Sequence, residues 1–408
     1  MATRAITCPF CALACDDLGA AEAGVDTRGC AKAAAGFARD AGRTEHRVRG
    51  KPVPLADAVA AAAALLSQAR LPLITGAGAD LAGIRALIAL ADRAGAVIDP
   101  WQSTVLRRNF AVTQESGALT ATFGEVANRA DAILLLGGDP APDYPRVFER
   151  LVDNGTSLFR STPPSLAYLG PAAAAPRRTM AAAIHLDSNR LLDGVAALHA
   201  ALAGRLPRDA DIAGVPAAAF IELGERLSAA HYGAILWDVR NLADDGKAVV
   251  ATVLRILRHL NRRTRAVGLP LAGSDNALGF VQALLWQTGW PAQVSLAGGA
   301  PEHDPWRFDA ARLIAAGEID ALLWVAGLSH SPPPATMAPT VALLAPDIAL
   351  TGEAAVEIRV GVPGLDHPGT LVRADAVVAL PLDAVRKTAL PSVAAVAQAI
   401  VESLGARA

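Results

Sequence analysis

The sequence predicts an α/β protein with doubly wound, mostly parallel sheets and a small N-terminal Cys-rich lobe. Short apolar runs that end in glycine, such as LPLITGAG and AILLLGG, alternate with helical patterns such as LADAVAAAAALLSQA. Strands that alternate with helices favour parallel sheets built from βαβ units. A further observation predicts the lobe: all four cysteines lie in the polar, irregular segment 1–50, which is too small to have its own core.

Residues 51–160 are predicted to form a first α/β domain. A helical pattern from Leu55 leads to a strand over 71–75 and to a turn that contains Gly76 and Gly78, and a second helix follows with a glycine stop. The later elements are a strand over 96–100, a helix through 125–129 and a strand within 131–140 that ends in Gly137, Gly138 and Asp139.

Three further segments complete the chain. Residues 161–230 are predicted to be a connection and helical region, whose first part, 161–180, is rich in Pro and Ala and lacks both periodicities. Residues 231–345 are predicted to form a second α/β domain, and residues 346–408 a β-rich extension with a final helix. The expected elements are strands over 233–239 and 321–330, a helix over 247–262 and a closing helix over 392–403.

Composition excludes several classes of partner. A chain of 408 residues, 52% of them hydrophobic, is too long for one core, which stops growing at roughly 250–300 residues. The formal net charge of -2, without long blocks of either sign, argues against a nucleic acid or an anionic membrane as partner. Every apolar run is shorter than the roughly 18–20 residues of a membrane span, and the first residues lack the pattern of a secretory signal. We therefore expect no membrane association and a cytoplasmic location.

The four cysteines predict a metal site. Cys8, Cys11, Cys15 and Cys30 form the pattern C-x2-C-x3-C-x14-C, and the chain has no other cysteine. In a reducing compartment such a cluster serves a metal rather than disulfides. Four thiolates suit a [4Fe-4S] cluster, and they also suit a structural zinc ion. The uneven spacing favours the iron-sulfur cluster, and zinc or an empty site are the alternatives.

Several longer segments carry a family resemblance. CPFCALACDD followed by RGCAKA resembles the N-terminal cluster motif of the formylmethanofuran dehydrogenase B subunit, a member of the molybdopterin oxidoreductase superfamily. Further segments that are similar to that protein, in the same order, are TFGEVANRADAILLLGGDPAPDYPR, IHLDSNR, SDNALGFVQALLWQTGWP, GEIDALLWVAG and EIRVGVPGLDHPGTLVRADAVVALPL. The likeness covers nearly the whole chain and implies a molybdopterin-oxidoreductase-like fold.

The resemblance also implies a cofactor loop. It places Gly137, Gly138 and Asp139 at the turn that approaches a pterin guanine dinucleotide, where glycines let the backbone come close to a phosphate. A tight turn from strand to loop would need the same glycines, so the motif by itself does not distinguish the two roles.

The chain departs from the catalytic members of the family. In those members a Cys or selenocysteine binds molybdenum or tungsten after the strand that corresponds to AVIDP. Its place falls here near Leu106, followed by Arg107 and Arg108, and no fifth cysteine can supply the thiolate. The family's Arg near SLAGGAPEHDP is replaced by Gly and Ala at 297–300, which cannot pair with formate. The interval between the third and fourth cysteines is also shorter than in the family. These departures predict that molybdopterin or tungstopterin is absent, and that a bound cluster would stabilise the lobe.

The resemblance is greatest to the formyltransferase/hydrolase complex of methylotrophic bacteria. It implies a non-redox, structural B-type subunit in tetrahydromethanopterin-linked one-carbon metabolism. Its implied partners are an amidohydrolase-like A subunit and formyltransferase-type C and D subunits. One alternative is a catalytic molybdenum- or tungsten-pterin subunit of formylmethanofuran dehydrogenase with a non-thiolate ligand. Another is an unrelated α/β protein with a zinc knuckle.

Other side chains could suggest chemistry, but each stands alone in the sequence. A catalytic role requires a partner within hydrogen-bond reach, so we expect no catalytic residue in this chain. We expect the tryptophans to be core or subunit-interface anchors. The residues in question are Ser329, His330, His303, Asp304, His367, Trp237, Trp286, Trp290 and Trp324.

Overall fold

The computed structural model describes residues 4–22, 24–101, 103–154, 157–271, 273–328, 331–350 and 352–405. The chain forms two compact units. Unit 1 consists of residues 1–104 and 273–408, and unit 2 consists of residues 105–272.

Unit 1 begins with a small lobe. Its strands are β1 (Arg4–Ile6), β2 (Leu18–Ala21) and β3 (Gly24–Asp26), and helix α1 (Ala31–Phe37) follows. Strand β2 pairs antiparallel with both β1 and β3. The Sγ atom of Cys30 accepts a hydrogen bond from Ala33 N at 3.5 Å and caps the first turn of α1.

The chain then enters the main sheet of unit 1. The helix over 81–94 begins and ends as the sequence predicts, because Asp80 Oδ1 accepts a hydrogen bond from Gly83 N at 3.1 Å and Gly95 adopts φ 66° after the last turn. The elements are β4 (His46–Val48), β5 (Lys51–Val53), α2 (Leu55–Gln68), β6 (Pro72–Gly78), α3 (Leu81–Ala94), β7 (Val97–Ile98) and α4 (Ser103–Ser116), most of which belongs to unit 2.

Unit 2 continues with alternating strands and helices. A capping box starts its first short helix, since Thr122 Oγ1 accepts from Glu125 N and Glu125 Oε2 accepts from Thr122 N, each at 3.0 Å. The elements are α5 (Phe123–Arg129), β8 (Ala132–Leu136), α6 (Val147–Leu151), β9 (Ser165–Gly170), β10 (Ala182–His185), α7 (Leu191–Leu202), β11 (Asp211–Ile212), β12 (Val215–Pro216), α8 (Ala217–Ala229), β13 (Tyr232–Asp238), α9 (Gly246–Leu260) and β14 (Arg265–Leu271).

The last part of the chain completes unit 1. The closing helix begins where the sequence predicts it, and Ser392 caps it, its Oγ accepting from Ala395 N at 3.1 Å. The elements are α10 (Ala277–Thr288), β15 (Val294–Ser295), β16 (Glu302–His303), α11 (Ala310–Ala315), β17 (Ala321–Ala326), β18 (Thr340–Leu344), β19 (Val356–Arg359), β20 (Gly369–Val372), β21 (Ala379–Leu382) and α12 (Val393–Leu404).

Both units are built on parallel sheets, which confirms the predicted mixed α/β class. The nine strands of the unit 1 sheet have the order β16-β15-β7-β6-β17-β18-β19-β4-β5, and the run from β7 to β19 is parallel. The five strands of the unit 2 sheet have the order β10-β9-β8-β13-β14, and all run parallel. Strands β8 and β17 are buried throughout, as expected for parallel strands covered on both faces.

One predicted region is wrong. Residues 161–180, predicted to be a connection without periodic structure, contain the strand β9, which pairs in parallel with β8 and with β10. The strand is short and prolines flank it on both sides, so its apolar run SLAYLG is hidden among turn-forming residues. The unit 2 sheet therefore contains a strand in a segment where the sequence pattern indicates none.

The sheets also join segments that are distant in sequence. The segment 51–160 supplies β6 to the unit 1 sheet and β8 to the unit 2 sheet, and the segment 231–345 supplies β17 and β13 to the same two sheets. Each α/β unit is thus assembled from both of the predicted α/β segments.

Side chains alternate across the unit 1 sheet between two apolar cores. Ile74 of β6 and Ile98 of β7 lie in the core formed with α2, α3 and α12. Leu73 and Val97 lie in the opposite core, which also holds the fully buried Trp324. Among the described residues, no helix is both long and apolar enough to cross a membrane.

Candidate functional site

The four cysteines gather in the N-terminal lobe. Cys8, Cys11 and Cys15 lie on the loop between β1 and β2, which folds back so that Cys8 N donates to Cys15 O at 2.8 Å. Cys30 joins them from the N-terminal end of α1. The four cysteines are not joined in disulfides, and Cys8, Cys15 and Cys30 are buried. A tight loop and a following helix terminus therefore carry the four cysteines; that they bind a metal together stays a prediction.

The thiols are close enough to influence one another's ionisation. Burial raises the pKa of the Cys8 thiol, and the charges of Cys11, Cys15 and Cys30 raise it further. Burial also raises the pKa of Cys11, whereas the charge of the nearby Lys32 lowers it. Four sulfur donors in one neighbourhood fit the chemistry of an iron-sulfur cluster or of zinc. In the part of the chain that the structure describes, no group of three or more His, Cys, Asp or Glu side chains is arranged to hold a metal ion.

The glycine turn after β8 is held by the backbone of unit 2. Gly137 adopts φ 86°, a conformation that favours glycine, and its N donates to Leu169 O at 2.9 Å. Asp139 N donates to Ala174 O at 2.8 Å, and Asp139 Oδ1 accepts from Ala141 N at 2.9 Å. This side-chain bond to the second following residue is typical of a turn that an aspartate stabilises.

Side chains of the same unit cover this turn. A Cβ atom at Gly138 would lie 3.0 Å from Asn241 Nδ2, and one at Gly137 would lie 3.3 Å from Leu242 Cδ2. The cavity between the carboxyl ends of β8, β13 and β14 that Gly138 and Asn241 line has a volume of only about 10 Å³. A cavity of that size holds one water molecule at most.

Charged groups fill the same edge of the sheet. Arg240 pairs with Asp238 at the end of β13, and its Nη2 lies 3.1 Å from Asp143 Oδ2 and 3.1 Å from the hydroxyl oxygen of Tyr144. The carboxyl ends of parallel strands are where α/β sheets usually bind ligands. Within unit 2 this edge is occupied by the protein's own side chains.

The position predicted for the lost metal ligand lies on a helix. Leu106 is buried in the first turns of α4. Arg108 Nη1 donates to Leu242 O at 2.9 Å, and the buried Nε of Arg107 has no hydrogen-bond partner among the described residues. A leucine and two guanidinium groups offer no lone pair that a redox metal could use.

Unit 1 also contains a buried polar cluster that was not predicted from the sequence. Asp99 follows β7, and its carboxyl oxygens accept hydrogen bonds from Gln293 N at 3.1 Å and Ala310 N at 2.9 Å. Gln293 Nε2 donates in turn to Ser103 Oγ at 2.5 Å. Burial raises the pKa of Asp99 to about 7, although hydrogen bonds from Ser103 and the two backbone amides oppose the shift.

Two acceptors of this region have no partner. Gln293 Oε1 and Thr75 Oγ1 are buried and make no hydrogen bond with the described residues. Thr75 lies beside Asp99, because Asp99 N donates to Ile74 O at 3.1 Å and Trp101 N to Gly76 O at 2.7 Å. An aspartate directly after a buried parallel strand was the available signal in the sequence.

The remaining candidates have structural partners or lie outside the described residues, as Ser329 and His330 do. His303 Nδ1 lies 2.7 Å from Ala292 O, and His367 Nδ1 lies 2.7 Å from Pro368 O. Asp304 Oδ1 accepts two backbone N–H bonds, from residues 306 and 307. These groups hold turns together.

Gly76 and Gly78, which the sequence predicts to lie in a turn after the strand, belong to β6 itself. These glycines and the tryptophans have structural explanations. A Cβ atom at Gly76 would lie 2.2 Å from Val325 O, and one at Gly78 would lie 2.9 Å from Gly327 N, so both glycines allow close approach of neighbouring backbone. Trp237 and Trp324 are buried in the cores, whereas Trp286 and Trp290 are exposed on α10 and just after it.

Known proteins are similar to this chain along most of its length. No protein-family model matches it. The B subunit of the formyltransferase/hydrolase complex Fhc of Methylorubrum extorquens is 34% identical over 336 residues, which cover 79% of this chain and 87% of that protein. The B subunit of tungsten-containing formylmethanofuran dehydrogenase 2 of Methanocaldococcus jannaschii is 29% identical over 398 residues, 92% of each chain.

A solved structure has the same fold. The crystal structure of the formyltransferase/hydrolase complex (FhcABCD) from Methylorubrum extorquens in complex with methylofuran contains a chain that matches with a TM-score of 0.77 and 31% identity. The match covers 88% of the present chain and 98% of that chain.

Proposed function

This chain belongs to the family of B subunits of formyltransferase/hydrolase complexes and formylmethanofuran dehydrogenases, and we propose that it is a structural, non-redox component of such a formyltransferase/hydrolase complex. Its pathway would be tetrahydromethanopterin-linked one-carbon metabolism. The proposal is supported mainly by the similarity in sequence and fold between this chain and a chain of a formyltransferase/hydrolase complex, which extends over most of the length of each.

The non-redox role is supported by what stands in the old metal position. All four cysteines of the chain lie between residues 8 and 30, so the segment around Leu106 has no thiolate of its own. Asn241 and Leu242 pack on the glycine turn whose counterpart approaches a pterin in the family. A molybdenum or tungsten pterin would have to displace these side chains and find another soft donor.

The proposed partners follow from the family. An amidohydrolase-like A subunit would hydrolyse the formylated carrier, and formyltransferase-type C and D subunits would transfer the formyl group. This chain would hold them together without chemistry of its own. A cytoplasmic location, where cysteines stay reduced, fits four clustered cysteines that are not joined in disulfides.

Co-purification and metal analysis test this function together. When the chain is tagged and co-expressed with the A-, C- and D-type subunits from its own genome, we expect native mass spectrometry to show one hetero-oligomer that contains all four. We expect no stoichiometric molybdenum or tungsten in it, and formyl transfer without formate oxidation. Stoichiometric tungsten or molybdenum with releasable pterin would instead identify the catalytic alternative.

We also propose that the N-terminal lobe binds a [4Fe-4S] cluster through Cys8, Cys11, Cys15 and Cys30. The support is the donor set and its common, buried neighbourhood. We assign no second redox centre to this chain. The cluster would therefore contribute folding energy to the N-terminal lobe, which has little core of its own.

Replacement of Cys8 by Ser tests the cluster. We expect the anaerobically purified complex to contain about four iron and four sulfide per copy of this chain, and the Cys8→Ser complex to lose most of both, because a hydroxyl is a poor ligand for iron. Leu13→Ala is the matched control, since Leu13 is buried on the same loop but carries no donor. Equal loss of iron in both variants, or one zinc per chain without sulfide, would contradict the proposal.

A further inference from the structure

An open cavity lies at the amino-terminal edge of the unit 2 sheet, opposite the edge that holds the glycine turn. Its volume is about 340 Å³, which is within the range of binding pockets. Tyr232 and Arg265 are the first residues of β13 and β14, and Arg129 ends α5. The lining consists of Leu119, Thr120, Glu125, Arg129, Tyr232, Asn261, Arg265, Ala266 and Val267.

The cavity carries an excess of positive charge. Arg129 and Arg265 make no ion pair with the residues that the structure describes, and the Arg129 guanidinium instead lies 4.2 Å from the centre of the Phe159 ring. Among the described lining residues the acidic side chain is Glu125, which is held by the capping box of α5. Asp131 at the same edge is held by backbone N–H groups of His231 and Tyr232. Two guanidinium groups therefore face one carboxylate that already has a role.

The hydroxyl group of Tyr232 adds a neutral hydrogen-bond donor to the cavity. Burial and the charge of Glu125 raise the pKa of Tyr232, while Arg129 and Arg265 act in the opposite direction. All three charges therefore lie close to this phenol, which keeps its proton at neutral pH. Its hydroxyl makes no hydrogen bond with the described residues and is free to donate to an anion.

Apolar side chains surround the basic cavity. Leu158 and Phe159 are 79% and 62% exposed, and Leu119 on the cavity wall is 37% exposed. Leu158 is fixed next to Arg129, because its N donates to Asn128 Oδ1 at 3.1 Å. Arginine and aromatic residues together are typical of the centres of protein interfaces. A free small anion would pair with the arginines but leave this rim uncovered.

We propose that this surface docks another subunit of the complex, which inserts an Asp, a Glu or a C-terminal carboxylate between Arg129 and Arg265. The charge of the cavity selects the carboxylate, which can accept paired hydrogen bonds from a guanidinium group and a further one from Tyr232. Apolar neighbours of that carboxylate pack on Leu158 and Phe159. The inference rests on the proposed function, because it requires the chain to work in a hetero-oligomer.

A charge reversal tests the surface within the assembled complex. The site variant is Arg129→Glu/Arg265→Glu, and the control is Arg208→Glu/Arg255→Glu, which makes the same change in net charge at exposed arginines of the same unit. We expect the site variant to bind the other subunits at least about tenfold more weakly, since a carboxylate would meet like charge, and the control to bind as the wild type does. Native mass spectrometry over a dilution series measures both.

The other outcomes are decisive against the inference. If the site variant assembles as well as the wild type does, the inference is wrong. This holds even if the isolated chain binds free acetate in the cavity. Equal weakening in site variant and control overturns it as well, because charge anywhere on unit 2 would then suffice. If the charge reversal does not fold, as judged by circular dichroism, Arg129→Gln/Arg265→Gln is measured in its place. A wild-type chain that assembles with none of the A-, C- and D-type subunits would instead defeat the proposed function itself.

Discussion

Raising the pH from about 5 to about 8 is expected to lower the free energy of unfolding through one carboxyl group, that of Asp99. Burial raises its pKa to about 7 in the folded protein, whereas an unfolded aspartate titrates near 3.9. Above about pH 4 the unfolded chain releases this proton and the folded chain does not. The contribution of Asp99 to the free energy of unfolding is therefore largest at low pH and falls until the folded group also ionises near pH 7. From pH 5 upward the decrease is roughly 2–3 kcal/mol.

Asp99→Asn isolates this contribution. The amide stays neutral throughout the range and keeps the shape of the side chain, so we expect its unfolding free energy to depend less on pH, by the same roughly 2–3 kcal/mol. Urea denaturation of both proteins at about pH 5, 6, 7 and 8 measures the difference. Other titrating groups, such as His46, whose pKa burial lowers, act equally in both proteins and cancel.

Asp209→Asn is the control for this experiment, since Asp209 is exposed in a loop of unit 2. Its pH profile should follow that of the wild type. If Asp99→Asn also follows the wild-type profile, the carboxyl group is ionised in the folded protein at neutral pH. The buried acceptors Gln293 Oε1 and Thr75 Oγ1 would then have to tolerate a neighbouring negative charge.

The contrast between the cysteines and Asp99 explains what the sequence could predict. The four cysteines lie within one short segment, so their spacing alone predicts a shared site, and the structure places Cys30 at the start of α1 and the other three on the loop between β1 and β2. Asp99 meets its partner Gln293 across 194 positions of the chain. Such a contact depends on the sheet order, which places β15 beside β7, and periodicity carries no information on which distant strands pair.

The same limit explains the errors in the fold. Apolar strands such as β8 and β13 are visible as apolar runs with a glycine at or near one end, and both are predicted close to their observed ends. Strand β9 was missed because tertiary pairing with β8 overrides the turn propensity of the prolines around it. The basic cavity of unit 2 was missed for a related reason, since Arg129 and Arg265 come together only where α5 and β14 meet at one edge of the sheet.

Truncation of Glu357 to Ala is expected to destabilise the protein by about 3–5 kcal/mol. Arg359 is fully buried in the unit 1 sheet, and Glu357, two residues away on the same face of β19, is its only acidic partner among the described residues. The guanidinium also donates to Ala345 O at 2.9 Å and Ile348 O at 2.6 Å. Neutral carbonyls do not compensate a buried cation, so loss of the carboxylate leaves a charge in the core.

Glu318→Ala provides the matched comparison, because it removes the same carboxylate from an arginine at the surface. Arg312 and Glu318 pair at 2.6 Å, but the Glu318 side chain is about half exposed, and exposed ion pairs contribute little to stability because water screens them. Denaturant titrations of the two variants should therefore differ by several-fold in the loss of stability. Equal losses would mean that water reaches Arg359. In that case Glu357 would not be needed to compensate the charge of Arg359.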